Sequence, residues 1–144
     1  MANCLNLELH QVDIKGAYLN GELNDKEVLY MHHLPGYKPL DSGSHVLHLK
    51  KMLYGLKQSS CRWYQKLSSI FDSLGYQKCS VDQAIFYKQD KARNEVTIVM
   101  AHVDDCMIAA SNLCFVEDFK DGLCKHVKII DLSELHWMLR LEIK

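Results

Sequence analysis

The sequence lacks an apolar run of about 20 residues, the length that a membrane-spanning helix needs. Its first residues, "MANCLNLELHQVD", also lack the basic stretch and apolar block that mark a secretory signal. These absences argue against a membrane protein and a secreted one, and they favour an intracellular, most simply cytoplasmic, location. No repeat or Pro/Gly-rich linker divides the chain, so residues 1–144 are expected to form one domain.

The sequence also lacks any pair of cysteines at the spacing of a metal site. Six cysteines are present, but no Cys-x-x-Cys motif or zinc-like arrangement occurs among them. They are therefore expected to be buried, reduced thiols of an intracellular protein. Their positions are Cys4, Cys61, Cys79, Cys106, Cys114 and Cys124.

Acidic residues are missing from one long stretch, between Asp41 and Asp72. The net charge of the whole chain is −1, which gives no sign of a nucleic-acid-binding protein. The acid-free stretch allows two interpretations: the solvated face of a helix with core aromatics, or a surface that faces phosphates with aromatic side chains beside it. Its basic and aromatic members are Lys50, Lys51, Lys57, Arg62, Lys66, Tyr54, Trp63 and Tyr64.

The pattern of apolar residues predicts strands and helices in irregular alternation. Alternation from Leu5 predicts a strand that runs into "QVDIKGAYL". Helical spacing predicts one amphipathic helix that starts at a Ser59 or Ser60 cap and stops at Gly75, and a second helix over residues 113–126. The segments around "LYMHHLPGYKPLDSGSHVLHLK", "AIFYK" and "HWMLRLEIK" predict further short strands. Strands grouped in hairpins together with helices indicate the α+β class.

Two adjacent aspartates interrupt a region that otherwise predicts buried strands. "VTIVMAHV" precedes Asp104 and Asp105, and "CMIAAS" follows them, which predicts a tight hairpin with carboxylates at its tip. Neighbouring carboxylates repel each other, and burial would raise their pKa further. An ordinary solvated turn would explain an isolated pair. A third aspartate, Asp13, ends another predicted strand, and it converges with Asp104 if the two strands are neighbours.

A carboxylate cluster of this kind, without histidine or cysteine ligands, has the oxygen donors that Mg²⁺ prefers. Ions held by shared aspartates are a standard means of phosphoryl transfer in polymerases. The metal would then cancel the repulsion that makes the pair of aspartates costly. The residues alone therefore favour the hypothesis of a metal-dependent phosphoryl-transfer site.

Several longer blocks of the sequence carry a resemblance to a known family. In order along the chain they are "QVDIKGAYLNGEL", "LYMHHLPGY", "LKKMLYGLKQSSCRWYQKL", "AHVDDCMIAAS" and "DLSELHWMLRLEIK". Over nearly all of its 144 residues, the chain resembles the Ty1/copia-type retrotransposon reverse transcriptase.

The resemblance implies a polymerase palm, an antiparallel sheet backed by helices, with part of the fingers. By position, it implies that Asp13 and Asp104 bind catalytic Mg²⁺, with Mn²⁺ as an alternative, and that Asp105 is an ancillary carboxylate. The implied reaction is in-line attack of a primer 3′-hydroxyl on the α-phosphate of a deoxynucleoside triphosphate. The implied partners are an RNA or DNA template-primer and dNTP, with no membrane, and the oligomeric state stays open.

The resemblance also implies a set of residues that contact the nucleotide. The backbone at Ile14 would face the incoming triphosphate, and Tyr18 would lie under the sugar, where its bulk rejects a 2′-hydroxyl. Gly55 and Lys57 of "LYGLK" belong to a block that contacts the nucleotide and the template. The acid-free stretch then gains a use beside nucleic acid, which favours its phosphate-facing interpretation.

The chain departs from the family pattern at several positions. His102 replaces the usual tyrosine before Val-Asp-Asp, and Ser133 and Arg140 stand where the family has glycines. Such a replacement matters if the backbone at that position needs a positive φ. The family's reverse transcriptase also starts earlier and continues further, so the chain is expected to be truncated at both ends. The alternative function is a non-catalytic remnant or co-opted module that keeps the palm fold and binds nucleic acid or protein.

Overall fold

The chain folds into strands with alternating apolar residues and helices with one apolar face. A computed structural model describes residues 5–23, 27–37 and 45–143. The α-helices of this part of the chain are Ser59–Ser73 (α1) and Leu113–Cys124 (α2), and a 3-10 turn covers Ala17–Asn20. Its strands are Glu8–Ile14 (β1), Tyr30–Met31 (β2), Leu47–His48 (β3), Gln77–Lys78 (β4), Ile85–Asp90 (β5), Glu95–His102 (β6), Asp105–Ala110 (β7), Ile129–Glu134 (β8), Trp137–Met138 (β9) and Leu141–Glu142 (β10).

Six of the described strands form one antiparallel sheet in the order β4-β5-β6-β7-β1-β8. Strand β1 lies between β7 and β8, so segments that are far apart in the chain become neighbours. Separate antiparallel ribbons pair β2 with β3 and β9 with β10. An antiparallel sheet accompanied by helices agrees with the predicted α+β class.

The sheet has two different sides, because successive residues of a strand point in opposite directions. One side carries buried apolar residues such as Val12 and Val99, which share the hydrophobic core with residues of α1 and α2. The other side carries the alternate positions, including Asp13 and Asp105. We call these the helix side and the carboxylate side of the sheet.

Aromatic side chains fill the centre of the core on the helix side. The ring centroids of Phe71 and Phe86 are 4.7 Å apart with the ring planes at 78°, and those of Phe71 and Phe119 are 5.6 Å apart. Tyr76 packs edge-on against Phe119, and burial raises the pKa of Tyr76 to about 12. Such aromatic pairs stabilise a core by roughly 1 kcal/mol beyond their burial.

Both predicted helices are present, but the cap of α1 and the end of α2 differ from the prediction. Helix α1 stops before Gly75, which has a φ of +84 and ends the helix as expected. Ser59 does not cap α1, because its hydroxyl donates to a loop carbonyl oxygen at 2.5 Å, and Gln58 at the cap position makes no side-chain capping bond. Helix α2 is slightly shorter than predicted and is capped by the side chain of Asn112. Neither helix among the described residues is long and apolar enough to cross a membrane.

The strand predictions need two corrections. Strand β1 starts at Glu8 rather than at Leu5. The sequence pattern does not predict β8, because this edge strand is mostly exposed and so lacks apolar alternation. The predicted turn at Pro35 and Gly36 is present, and the predicted turn over residues 41–44 lies outside the described residues.

The described cysteines are free, but they are not all buried. Cys106, a residue of β7, is fully buried, whereas Cys61, Cys114 and Cys124 are exposed. The expectation of buried thiols is therefore wrong for these three residues, and Cys4 lies outside the described residues.

Candidate active site

The acidic hairpin is formed by β6 and β7. The last pair of its ladder joins the exposed His102 to Asp105, so the loop consists of Val103 and Asp104 alone. This is the tight hairpin that the sequence predicts, but it separates the two aspartates. Asp104 lies in the loop, and Asp105 begins β7. We call residues 102–105 the hairpin tip.

Asp13 meets the hairpin tip from the neighbouring strand β1. In the register of β1 with β7, Asp13 stands directly opposite Asp105, and directly opposite residues of antiparallel strands project to the same side. The Ile14 N–H also donates to the Asp104 carbonyl oxygen at 2.7 Å. Strand β1, which carries Asp13, is therefore a neighbour of the hairpin that carries Asp104, as predicted.

The carboxylates at the tip affect one another's charge. Partial burial raises the pKa of Asp13, and the negative charges of Asp104 and Asp105 raise it further, while Lys15 acts in the opposite direction. Burial, together with these carboxylates, raises the pKa of the Cys106 thiol to about 12. Cys106 is therefore a protonated neighbour of the site rather than a nucleophile.

The three aspartates offer only oxygen atoms, which is the donor chemistry that Mg²⁺ and Mn²⁺ select. Their repulsion favours the binding of a cation, because a positive charge between them would offset it. The ligands are not preassembled: among the residues that the structure describes, no three His, Cys, Asp or Glu side chains are arranged to hold a metal ion. The donor set fits a divalent cation, and ligation requires the carboxylates to turn toward a common point.

Gln11 is a member of the site that the sequence analysis missed. Its side-chain N–H donates to Asp105 Oδ1 at 3.0 Å. Gln11 precedes Asp13 by two positions on β1, so it lies on the same side of the sheet, and it is buried. An amide donor of this kind fixes one oxygen of Asp105 and leaves the other available. In the sequence "QVD", a polar residue stands two positions before Asp13, and this spacing on a strand could have predicted that Gln11 lies on the same side as Asp13.

A small cavity of about 160 Å³ lies beside the hairpin tip. Tyr18 reaches it from the 3-10 turn that follows β1, and the ring centroid of Tyr18 is 4.7 Å from that of Tyr54. One predicted nucleotide-contacting residue is thus brought next to the tip. The cavity is lined by Tyr18, Ser60, Trp63, Tyr64, Leu67, Ala101 and Val103.

The other predicted nucleotide-contacting residues are tied less closely to the aspartates. Gly55 has a φ of +94 in an exposed turn before α1, and Lys57 follows it as an exposed residue. Within the described part of the chain, no hydrogen bond or ion pair joins Lys57 to Asp13 or Asp104. The Ile14 side chain is buried in the core, and its N–H is already bonded to the hairpin. Contacts of these residues with a nucleotide stay predictions.

Comparison with known proteins decides the family. The model of the family described as Reverse transcriptase (RNA-dependent DNA polymerase) matches residues 1–144. The chain belongs to this family.

Relatives of the chain are polyproteins of retrotransposons. The Retrovirus-related Pol polyprotein from transposon TNT 1-94 of Nicotiana tabacum is 32% identical over 143 residues, which are 99% of this chain and 10% of the relative. The Retrovirus-related Pol polyprotein from transposon RE1 of Arabidopsis thaliana is 30% identical over 136 residues, 94% of this chain and 9% of the relative. The Transposon Ty1-GR1 Gag-Pol polyprotein of Saccharomyces cerevisiae is 33% identical over 146 residues, 96% of this chain and 8% of the relative.

These matches confirm the resemblance to the Ty1/copia-type reverse transcriptase. The chain spans 10% or less of the length of these relatives. It therefore corresponds to a small part of each polyprotein, and the activities of the whole polyproteins do not transfer to it by similarity alone.

The departures from the family's glycines fall where the backbone favours glycine. Ser133 has a φ of +62 and Arg140 a φ of +69, both in the left-handed region. Ser133 lies where the ladder between β1 and β8 slips between His10 and Val12, which is a β-bulge. Its N–H donates to Asp131 Oδ1 at 2.8 Å. The replacements therefore place side chains at positions of positive φ, which is the case in which the loss of a glycine matters.

The acid-free stretch is less available to phosphates than its sequence indicates. Arg62 pairs with Glu27 at 2.9 Å, and Lys66 pairs with Glu22 at 3.0 Å. The hydrogen bond to Glu27 raises the pKa of Arg62. Both glutamates come from outside the stretch, so the pattern of charges along the chain does not reveal these pairs. The phosphate-facing interpretation is therefore unsupported for Arg62 and Lys66, whereas Lys57 is exposed.

Proposed function

We propose that this chain is part of the catalytic palm of a reverse transcriptase, where it extends a primer along an RNA or DNA template. The observation that carries the proposal is the position of Asp13, directly opposite Asp105 and beside the hairpin tip. The type of reaction is inferred from the family to which the chain belongs. The carboxylates of Asp13, Asp104 and Asp105 beside the hairpin tip would be the metal ligands that this reaction needs. The substrates would be deoxynucleoside triphosphates, with Mg²⁺ as the cofactor and Mn²⁺ as an alternative.

Asp13 and Asp104 would hold the divalent ions, with Asp105 as an ancillary ligand. When bound, the ions supply Lewis acidity that activates the primer 3′-hydroxyl and steadies the departing pyrophosphate. Gln11 would keep Asp105 in place through its hydrogen bond, so that the carboxylate does not turn away from the site. In the reaction, the 3′-oxygen forms a bond to the α-phosphorus as the bond to pyrophosphate breaks.

The carboxylate side of the sheet would face the primer terminus, with α1 and α2 behind the sheet. Tyr18 would lie against the sugar of the incoming nucleotide and would exclude a 2′-hydroxyl by its bulk. Its contact with Tyr54 supports this role, because two packed rings have less freedom to turn away than one exposed ring. Gly55 and Lys57 would lie toward the nucleotide and the template.

Binding of Mn²⁺ to chain 1–144 tests the metal part of the proposal. Electron paramagnetic resonance of free Mn²⁺ measures the affinity of the wild type, Asp104→Asn and Asp121→Asn. Asp121 is an exposed acid of α2, on the helix side, so its variant makes the same change of charge away from the site. We expect Asp104→Asn to weaken binding about tenfold or more, because it removes a ligand, and Asp121→Asn to leave it nearly unchanged. Equal affinity in all three proteins would exclude a metal site at the hairpin.

A second candidate function is a non-catalytic module that keeps the fold. The side chains at the strained positions Ser133 and Arg140 and the paired cations Arg62 and Lys66 favour it. Primer extension on an RNA template with dNTP and Mg²⁺ separates the two functions. Extension that is lost in Asp104→Asn supports the polymerase. Binding of the template-primer without extension supports the module.

A further inference from the structure

The backbone at the hairpin tip adopts a conformation that its residue type disfavours. Val103 has a φ of +56. A β-branched residue in this left-handed region is a rare outlier, and tight hairpin loops normally place glycine, asparagine or aspartate there. A strained residue of this kind persists only where the surrounding structure over-determines its conformation.

One contact with the tip comes from outside the sheet. The indole N–H of Trp63, on α1, donates to the Val103 carbonyl oxygen at 2.5 Å. Trp63 is 2% exposed, so without this acceptor the core would contain an unpaired polar hydrogen. This hydrogen bond therefore links the buried ring of Trp63 to the backbone of the strained loop.

The peptide that Trp63 contacts is the one that joins Val103 to Asp104. The next peptide is held as well, because the Asp104 carbonyl oxygen accepts a hydrogen bond from the Ile14 N–H at 2.7 Å. Each peptide is a rigid plane, so fixing the planes on both sides of the Asp104 Cα fixes the direction in which its side chain leaves the backbone.

We propose that Trp63 is a positioning residue of the candidate active site, whose indole N–H holds the hairpin tip and so fixes where the Asp104 side chain leaves the backbone next to strand β1. This inference rests on the proposed function, which gives Asp104 its role in binding metal. Trp63 acts through the peptide between Val103 and Asp104. Groups that orient a metal ligand in this indirect way typically contribute about 10- to 100-fold to metal affinity.

The chain contains two tryptophans, which offer a matched control. Trp137 lies on β9 and is 58% exposed. Trp63→Phe removes the N–H but keeps a ring in the core, and Trp137→Phe makes the same chemical change at the surface. If Trp63→Phe does not fold, 3-benzothienylalanine at position 63 replaces only the N–H by sulfur and keeps the shape of the ring.

The first measurement is the Mn²⁺ affinity of the full chain by electron paramagnetic resonance. We expect Trp63→Phe to weaken binding about tenfold, and Trp137→Phe to bind as the wild type does. Asp104→Asn serves as the reference for a lost ligand. Wild-type affinity in Trp63→Phe, with weakened binding in Asp104→Asn, overturns the positioning role and leaves the proposed function intact.

The second measurement is hydrogen exchange without metal, which separates positioning from general stability. The Ile14 amide is bonded to the Asp104 carbonyl, whereas the adjacent Lys15 amide is bonded to the Lys128 carbonyl at 2.9 Å. We expect Trp63→Phe to accelerate exchange of the Ile14 amide about tenfold more than that of the Lys15 amide. Equal acceleration of both, or no change at Ile14, overturns the inference.

The two measurements also distinguish failure of this inference from failure of the proposed function. If the wild type binds no Mn²⁺, the metal-dependent function is wrong for this chain. The exchange of the Ile14 amide relative to the Lys15 amide then decides by itself whether Trp63 holds the hairpin tip.

Discussion

The hairpin tip and the C-terminal hairpin have similar turns in different surroundings. Each joins two strands through a two-residue loop, in which Val103 alone has a positive φ in the first hairpin and both Leu139 and Arg140 do in the second. The first belongs to the six-stranded sheet, and its loop is contacted by Trp63 of α1 and by β1. The second consists of the short strands β9 and β10, and its loop is exposed.

The difference shows how a disfavoured turn is tolerated. A left-handed φ costs about 1–2 kcal/mol for a residue with a Cβ. At the hairpin tip, hydrogen bonds from two other elements offset this cost. At the C-terminal hairpin, a hydrogen bond from the Ile143 N–H to the His136 carbonyl at 2.8 Å closes the ribbon, while the loop faces solvent. The first turn should therefore depend on tertiary contacts, and the second on its own loop residues.

The largest effect should follow from removing the contact that α1 makes with the hairpin tip. Trp63→Ala deletes a buried ring and a hydrogen bond, so it should lower the free energy of unfolding by about 3–5 kcal/mol. Trp137→Ala, in the exposed hairpin, should lower it by less than about 1 kcal/mol. Urea unfolding followed by circular dichroism measures both losses. Losses of similar size would mean that the two hairpins do not differ in their dependence on the core.

A smaller gain should come from relieving the loop of the C-terminal hairpin. Arg140→Gly removes the cost of a left-handed φ of +69, less the entropy that glycine adds to the unfolded chain. The net stabilisation of the ribbon should be about 0.5–1 kcal/mol. Hydrogen exchange at the Ile143 amide should slow by a factor of about 2–5, which is the same free energy expressed as an equilibrium constant. Unchanged exchange would show that the loop conformation does not limit this hairpin.

The smallest effect on stability should come from the repulsion among the carboxylates of Asp13, Asp104 and Asp105 at the hairpin tip. The raised pKa of Asp13 means that the folded chain binds a proton at higher pH than the unfolded chain, whose value is near 3.8. Stability from this group therefore falls as the pH rises through the folded pKa, and it returns as the pH is lowered toward 3.8.

Asp104→Asn removes part of this repulsion. Without metal at pH 7, it should stabilise the chain by about 0.5 kcal/mol, the size of a like-charged contact between strands, and it should reduce the gain on acidification. Urea midpoints at pH 7 and at about pH 4.5 measure this, with Asp121→Asn as the control. A loss of stability at pH 7 would mean that the Asp104 carboxylate contributes favourable contacts that outweigh the repulsion.

The pairing of the strand that carries Asp13 with the hairpin that carries Asp104 could be predicted because both aspartates belong to segments with a clear strand pattern. An apolar run on each side of Asp104 and Asp105 left a hairpin as the simplest structure. The resemblance to the family added the positions of Ser133 and Arg140, where glycine is usual and where the backbone does adopt a positive φ. The local pattern thus predicted the acidic hairpin and its neighbouring strand, and the family pattern pointed to two positions of positive φ outside the site.

The side-chain contacts of the site could not be predicted in the same way. Helical spacing indicates that Trp63 is buried, but it does not tell which atom the indole N–H meets, 40 residues further along the chain. The ion pair of Arg62 with Glu27 likewise depends on how a loop passes α1. Strand β8 was missed for a different reason, since an exposed edge strand has no need of apolar alternation.

Strand β1 serves both sides of the sheet with alternating residues. Val12 and Ile14 complete the core, and Gln11 and Asp13 take part in the acidic cluster. An insertion or deletion of a single residue in this strand would exchange the two sets, burying a carboxylate and exposing the apolar residues to water. A one-residue change in the length of β1 would thus disturb the core and the acidic cluster together.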